Sequence, residues 1–201
     1  MKVNSLNKPI IYSLIISAGL SSRMGKFKPV LSYNGKSFIQ NIILRLDSVC
    51  DKIIIITGRK AIEVEENVNQ ISTHSEIEFV HNANFEKGMF SSLQAGLAEV
   101  IECDWILYHF VDQPGLPIEF YKEFVEQIDD KNNWIQPKIN EQKGHPVLIH
   151  KYLTQLIISA SVDSNLREIS NDPVVKKKFW ECGYKNIFQD IDTEKDYSEL
   201  I

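Results

Sequence analysis

The 201-residue chain has only three cysteines, Cys50, Cys103 and Cys182, widely spaced and with no C-x-x-C pair. An odd number of isolated thiols excludes a disulfide framework and a cysteine zinc site, and the expectation is reduced thiols in a cytoplasmic protein. His74, His81, His109 and His150 share no metal-ligand spacing, so no zinc site is expected from histidine either. Positive charge is also scarce: 22 Lys and Arg stand against 27 Asp and Glu, a formal net charge of -5. That balance argues against a nucleic-acid partner, which needs a basic surface. No apolar run approaches the length that spans a bilayer, and the first nine residues lack the apolar core of a signal peptide. No membrane partner and a cytoplasmic location follow as expectations. Neither G-x-x-x-x-G-K-[ST] nor a strand followed by G-x-G-x-x-G occurs, which removes two common phosphate-binding loops. There is no repeat, low-complexity segment or linker composition, so residues 1–201 are expected to form a single domain.

What is present alternates between strand and helix signals. Apolar runs at residues 10–16, 52–57 and 105–111 read as central strands buried on both faces, and 77–80 as a shorter one. Apolar spacing predicts helices over 36–49, 59–71 and 90–103, with a further helix that Pro117 starts. Short strands at 134–137 and 146–149 suit an antiparallel excursion, with short helices near 151–159 and 165–170. The segment 186–192 reads as a last strand and Thr193 as the N-cap of a terminal helix. The fold class is therefore α/β: a three-layer sandwich with a mostly parallel central sheet and a short antiparallel excursion.

The first strand opens into Ser17-Ala18-Gly19-Leu20-Ser21-Ser22-Arg23-Met24-Gly25-Lys26-Phe27-Lys28. Gly19 and Gly25 allow sharp turns and close approach of a ligand, Ser21, Ser22 and backbone N–H groups can donate to phosphate oxygens, and Arg23 and Lys28 supply charge. Lys26 is the weaker candidate and suits a solvated role. Asp112 ends a central strand, where open α/β sheets bind ligands, although an Asp before Gln-Pro-Gly is also a common turn residue. Asp190 and Asp192, two apart on the expected strand, leave the same face.

The loop resembles the signature of the MobA-like nucleotidyltransferases, with Ala18, Gly19, Ser21, Arg23, Met24, Gly25 and Lys28 at matching positions. Four further segments resemble that family in order: Asn82 and Phe85 with Glu86 to Gly96, Asp112-Gln113-Pro114, Gly144-His145-Pro146-Val147 and Asp190-Ile191-Asp192-Thr193. The molybdenum cofactor cytidylyltransferase branch is the nearest in pattern.

The resemblance implies transfer of a nucleotidyl group from a nucleoside triphosphate, CTP by preference, to a phosphorylated acceptor of molybdopterin type, with release of pyrophosphate. It further implies Mg²⁺ at Asp112 with Asp190 or Asp192, nucleotide contacts from Ala18, Gly19, Ser21, Ser22, Arg23, Gly25, Lys28, Asn82, Ser91 and Ser92, and transient contact with a molybdoenzyme. Arg23 would grip the outer phosphates and Lys28 would place charge near the α-phosphate. His145 is either a hydrogen-bonded structural residue or an acceptor contact, and Ser91 and Ser92 either cap a helix or touch the nucleotide. Two alternatives stand beside this reading: a sugar- or alcohol-phosphate acceptor, and a non-catalytic protein that binds and delivers a cofactor.

Overall fold

The structure is a computed structural model, and it describes residues 8–19 and 24–200. Strand β1 (Ile11–Ile16) is followed by a 3-10 turn at Lys28–Val30, then by a small hairpin of β2 (Ser32–Tyr33) and β3 (Lys36–Ser37). Helix α1 (Phe38–Leu46) starts at Ser37, whose hydroxyl accepts from the Gln40 N–H while the Gln40 side chain accepts from the Ser37 N–H. This reciprocal pair satisfies two N–H groups that a helix start leaves open. Then come β4 (Lys52–Thr57), α2 (Ala61–Val68), β5 (Glu76–His81), α3 (Met89–Ala98), β6 (Trp105–Phe110) and α4 (Ile118–Val125). The second half carries β7 (Trp134–Ile139), β8 (Gln142–Lys143), β9 (Val147–His150), α5 (Thr154–Ser159), α6 (Leu166–Ser170), β10 (Lys177–Glu181) and α7 (Glu194–Leu200).

The main sheet runs β10-β7-β9-β6-β1-β4-β5, with β8 paired to β7. Among the described residues β8 and β9 run against the rest, so the sheet is mostly parallel with an antiparallel insert. The run Ile53-Ile54-Ile55-Ile56 shows why two-sided burial reads as unbroken apolar sequence. Ile53 and Ile55 pack under α1, α2 and α4, whereas Ile54 and Ile56 pack under α3 and α5, and all four are fully buried. Each such side chain contributes roughly 1.5–3 kcal/mol of burial, and together they fix the three-layer order.

Two sequence expectations fail. Residues 186–192 form no strand: a 3-10 turn at Lys185–Phe188 precedes an irregular stretch outside the sheet. Ile187 is drawn into the core, where Gly144 faces it so closely that a Cβ on Gly144 would lie 2.6 Å from Ile187 carbons. The Ile187 carbonyl also accepts from the His145 N–H at 3.2 Å. That tertiary docking overrides the strand pattern. The sheet edge is instead β10, a strand the apolar pattern does not reveal because it mixes lysines with aromatics, as exposed edges do. The helices are also shorter than expected, α2 ending at Val68 and α3 at Ala98.

Gly144→Ala is expected to destabilise the protein by about 1–3 kcal/mol through overpacking against Ile187. Thermal denaturation measures it, and an unchanged melting temperature would remove Gly144 as the docking point of the 185–192 segment.

Candidate active site

The register of the parallel strands brings the ends of β1, β4, β5 and β6 to one edge of the sheet, with Ile16 opposite both Ile56 and Phe110 and Ile56 opposite Val80. The residues that follow these strands therefore share a crevice, which is where open α/β sheets hold ligands. After β1, the Ser17 N–H donates to the Ile56 carbonyl at 2.9 Å, Ala18 is buried and Gly19 is exposed. Ser21, Ser22 and Arg23 lie outside the described residues. Gly25 takes φ +68°, a left-handed turn that favours glycine, and the chain then enters the 3-10 turn carrying Lys28. Lys26 pairs on the surface with Glu194 at 3.2 Å, an exposed contact of little energetic weight.

Lys28 turns inward and is 9% exposed. Its Nζ lies 2.5 Å from Asp192 Oδ1 and 3.7 Å from Asp112 Oδ2. One ammonium thus joins the first loop to the end of β6 and to the last segment of the chain. The third carboxylate, Asp190, accepts from Gln113 Nε2 at 2.8 Å, and the same amide donates to the Ile187 carbonyl at 3.2 Å. The Ile191 N–H donates to the Asp112 carbonyl at 3.0 Å, so this segment is laced to the Asp112-Gln113 turn from both sides. A small apolar cluster of Met24, Phe38 and Ile191 clamps the two loops from below.

The electrostatics follow from crowding three acids beside one ammonium. Burial pushes Asp112 up to about 6, against the pull of Lys28 and with a further push from Asp190 and Asp192. Burial also raises Asp190, partly offset by its hydrogen bond from Gln113. Asp112 Oδ1 is buried with no hydrogen-bond partner. A buried anionic oxygen left without a donor is a place for a cation to bind.

Asn82, Ser91 and Ser92 form one buried knot at the ends of β5 and α3. Asn82 Nδ2 donates to both serine hydroxyls at 3.0 Å, and Ser91 Oγ lies 2.8 Å from the Gly88 carbonyl and 3.0 Å from that of Asn84. The serines do not cap the helix N–H groups; they hold Asn82. Asn82 and Ser91 line a hollow of about 290 Å³ together with Asn84, Lys87 and Gln94.

His145 is half-buried, its ring edge-on to Phe110 with centroids 4.7 Å apart. Burial lowers it to about 4, so the ring is neutral near pH 7, and its Nδ1 is buried without a partner. His109 is neutral for the same reason and structural: Nδ1 faces the Phe110 carbonyl and must carry the proton, so Nε2 accepts from the Tyr121 hydroxyl, both at 2.7 Å.

Two further residues position the acids, and one of them, Arg45, has no signal in the sequence. Gln113 is buried and ties down Asp190, and Arg45 on α1 donates to the Pro114 carbonyl at 3.0 Å, bracing the turn that carries Asp112. Gln113 stands in the Asp112-Gln113-Pro114 segment that resembles the family, but the sequence does not say that it holds Asp190. The thiols stay apart from all of this: Cys50 and Cys103 are buried, Cys182 is half-buried and none forms a disulfide, with burial pushing Cys103 up to about 12.

The family pattern described as MobA-like NTP transferase domain matches residues 13–177, from within β1 to the first residue of β10. The chain belongs to that family. As a nucleotidyltransferase of the MobA-like kind, it is 28% identical over 186 residues to the molybdenum cofactor cytidylyltransferase of Escherichia coli (strain K12), with 92% of each chain covered. It is 22% identical over 204 residues to a probable molybdenum cofactor guanylyltransferase of Bacillus cytotoxicus, covering 95% of this chain and 96% of that one. The MobA-like fold is shared with a nucleotidyl transferase from Methanothermobacter at a TM-score of 0.81, 22% identity and 95% coverage of both chains. A Mycobacterium tuberculosis H37Rv protein solved in complex with manganese superposes with a TM-score of 0.72 at 16% identity, covering 96% of this chain and 97% of that one. Among the described residues no helix is long and apolar enough to cross a membrane.

Proposed function

We propose that this protein transfers a cytidylyl group from CTP to the phosphate of a molybdopterin-type cofactor, releasing pyrophosphate. The observation that carries the reading is Lys28, held between Asp112 and Asp192 at the carboxyl edge of the sheet. It gives one crevice both a cation for a phosphate chain and acids for a metal. CTP over GTP is supported by the identity to the cytidylyltransferase, 28% over 186 residues against 22% over 204 and 26% over 130 for guanylyltransferases, and by the Gly-Met-x-x-Ser-Leu and Gly-His-Pro segments.

The acceptor phosphate is already a nucleophile at neutral pH, so an oxygen of that phosphate attacks the α-phosphorus of the nucleotide as the bond to pyrophosphate breaks. No covalent enzyme intermediate is needed. The protein's part is alignment and charge. Ala18, Gly19, Ser21, Ser22 and Gly25 form the loop that receives the triphosphate, Arg23 grips its outer phosphates, and Lys28 sets a point charge beside the α-phosphate. Asn82, Ser91 and Ser92 shape the wall on the nucleotide side, and His145 stands on the acceptor side.

A divalent ion fits the acids present. Asp112 offers a buried oxygen without a partner, all three side chains supply hard oxygen donors, and no three His, Cys, Asp or Glu among the described residues close into a ready-made cage. Mg²⁺ suits such a place, because it takes one or two carboxylates and completes its shell with phosphate oxygens and water. Asp112 with Asp190 or Asp192 would hold it. When bound, the ion would neutralise charge on the triphosphate.

The test is pyrophosphate release with Mg²⁺, each of the four nucleoside triphosphates and a panel of phosphorylated acceptors. Release with CTP and the pterin cofactor is expected. Release with sugar phosphates alone would overturn the acceptor, and tight binding without release under every condition would overturn catalysis.

A further inference from the structure

Strand β10 closes one end of the main sheet, and among the described residues it pairs with β7 alone. Contacts at its two ends set which of its backbone groups face outward. The Lys176 carbonyl accepts from the Trp134 N–H at 3.2 Å, and the Cys182 N–H donates to the Lys138 carbonyl at 3.0 Å, so both flanking residues turn toward β7. In a parallel pair the residues that bond one neighbour recur at every second position. Lys178 and Trp180 therefore turn toward β7 as well, and the N–H and C=O groups of Lys177, Phe179 and Glu181 line the open edge. The alternation holds on β7 too: Pro137, which has no N–H to give, faces away from β10, and its carbonyl accepts from the Gly144 N–H at 2.9 Å.

The strand Lys177-Lys178-Phe179-Trp180-Glu181 is its own complement when an identical strand runs antiparallel about Phe179. Lys177 then stands opposite Glu181 of the second copy, Lys178 opposite Trp180 and Phe179 opposite itself. The outward-facing residues fall at the hydrogen-bonded pairs of that ladder, where two strands exchange both N–H and C=O bonds. Phe179 is 37% exposed, and Lys177 Nζ reaches an amide oxygen, Asn171 Oδ1, at 3.4 Å rather than an acid. Lysines on an open edge ordinarily repel a second strand. Here Lys177 meets a carboxylate, while Lys178 keeps its ion pair with Asp129 at 3.2 Å and offers its aliphatic stem to a ring. Sliding the pairing until Lys178 faces its own copy sets like charges together and is disfavoured. The other end of the sheet has no such match, because the same pairing of β5 about Phe79 sets Ile77 against His81 and Glu78 against Val80.

We propose that β10 is a self-association edge, on which a second copy of this chain lays its own β10 antiparallel to make one sheet continuous through two molecules. The contact is two-fold and uses the same strand on both sides, so it closes at two copies and does not grow into a filament. Two Lys177–Glu181 pairs flank a central Phe179 pair. A strand of five residues makes a small interface, of the class that forms transient rather than permanent dimers.

Sedimentation equilibrium of the intact protein, from about 1 µM to about 1 mM, tests it. A monomer–dimer equilibrium is expected, with a dissociation constant of about 10⁻⁶ to 10⁻⁴ M. Lys177→Glu and Glu181→Lys each set like charges against one another at both ends of the ladder, and each is expected to weaken association by about tenfold or more. Mixed in equal amounts, the two variants restore opposite charges at both ends, so the mixture is expected to associate within about threefold of the native protein. A protein that stays monomeric at the highest concentration would overturn the proposal. Dimerisation unchanged in both single variants would move the contact off β10, and a mixture that associates no better than either variant alone would overturn the pairing about Phe179.

Discussion

Lys28→Ala is expected to lower turnover by about 10²-fold or more, the scale of removing one preorganised charge from a transition state, while the far-ultraviolet spectrum stays that of the folded protein. The side chain is only 11% exposed, so its charge acts where water screens it weakly. Its contacts with Asp192 and Asp112 fix the ammonium in place before any ligand arrives. An aligned charge of this kind stabilises what develops during the reaction more than it aids ground-state binding, so the loss should fall on kcat rather than on KM for CTP. Near-full activity would remove Lys28 from the site. A loss confined to KM would make it a binding group only.

The structural result of the same substitution separates folding from chemistry. Lys28 lies in a short turn next to Pro29, and the apolar cluster of Met24, Phe38 and Ile191 packs independently of the lysine charge. The loops should therefore stay docked.

How far the sequence carries depends on whether the deciding contacts are local. Ile53 to Ile56 are readable because burial on both faces removes the need for any polar residue. Asp112 and Lys28 are readable because the carboxyl edge of a parallel sheet collects the loops after β1 and β6, whatever the details of packing. The segment 186–192 is not readable: its sequence says strand, and only the close seat of Ile187 on Gly144, between residues more than forty apart, turns it into a loop.

That loop also sorts Asp190 from Asp192. On a strand both would share one face and one environment; here Asp190 is held by Gln113 and Asp192 by Lys28. β10 stays hidden for the opposite reason, since an edge strand with lysines needs no apolar face pattern to pair with β7. Asn82, Ser91 and Ser92 read as three separate polar residues in the chain, and their mutual hydrogen bonds appear only when β5 meets α3.

Asp112→Asn is expected to abolish most turnover, by about 10²-fold or more, and at the same time to stabilise the fold at alkaline pH. Burial holds the folded-state carboxyl at about 6, above its ordinary 3.8. The folded protein therefore binds this proton more tightly than the unfolded chain does. The stability it contributes is complete below about pH 4 and is lost as pH rises through about 6. Above that, the ionised carboxylate costs the native state on the order of 1–3 kcal/mol, toward the lower end because the side chain is 27% exposed. Asparagine keeps the shape and never ionises. In a chelating buffer the variant should melt a few degrees above the native protein at pH 8, and the two should converge near pH 4. His109 and His145, both lowered to about 4, destabilise the fold as pH falls but do so equally in both proteins and cancel in the difference. A variant less stable than the native protein at pH 8 would refute the buried, repelled carboxylate. One that is more stable yet fully active would leave the electrostatics standing and remove Asp112 from the reaction.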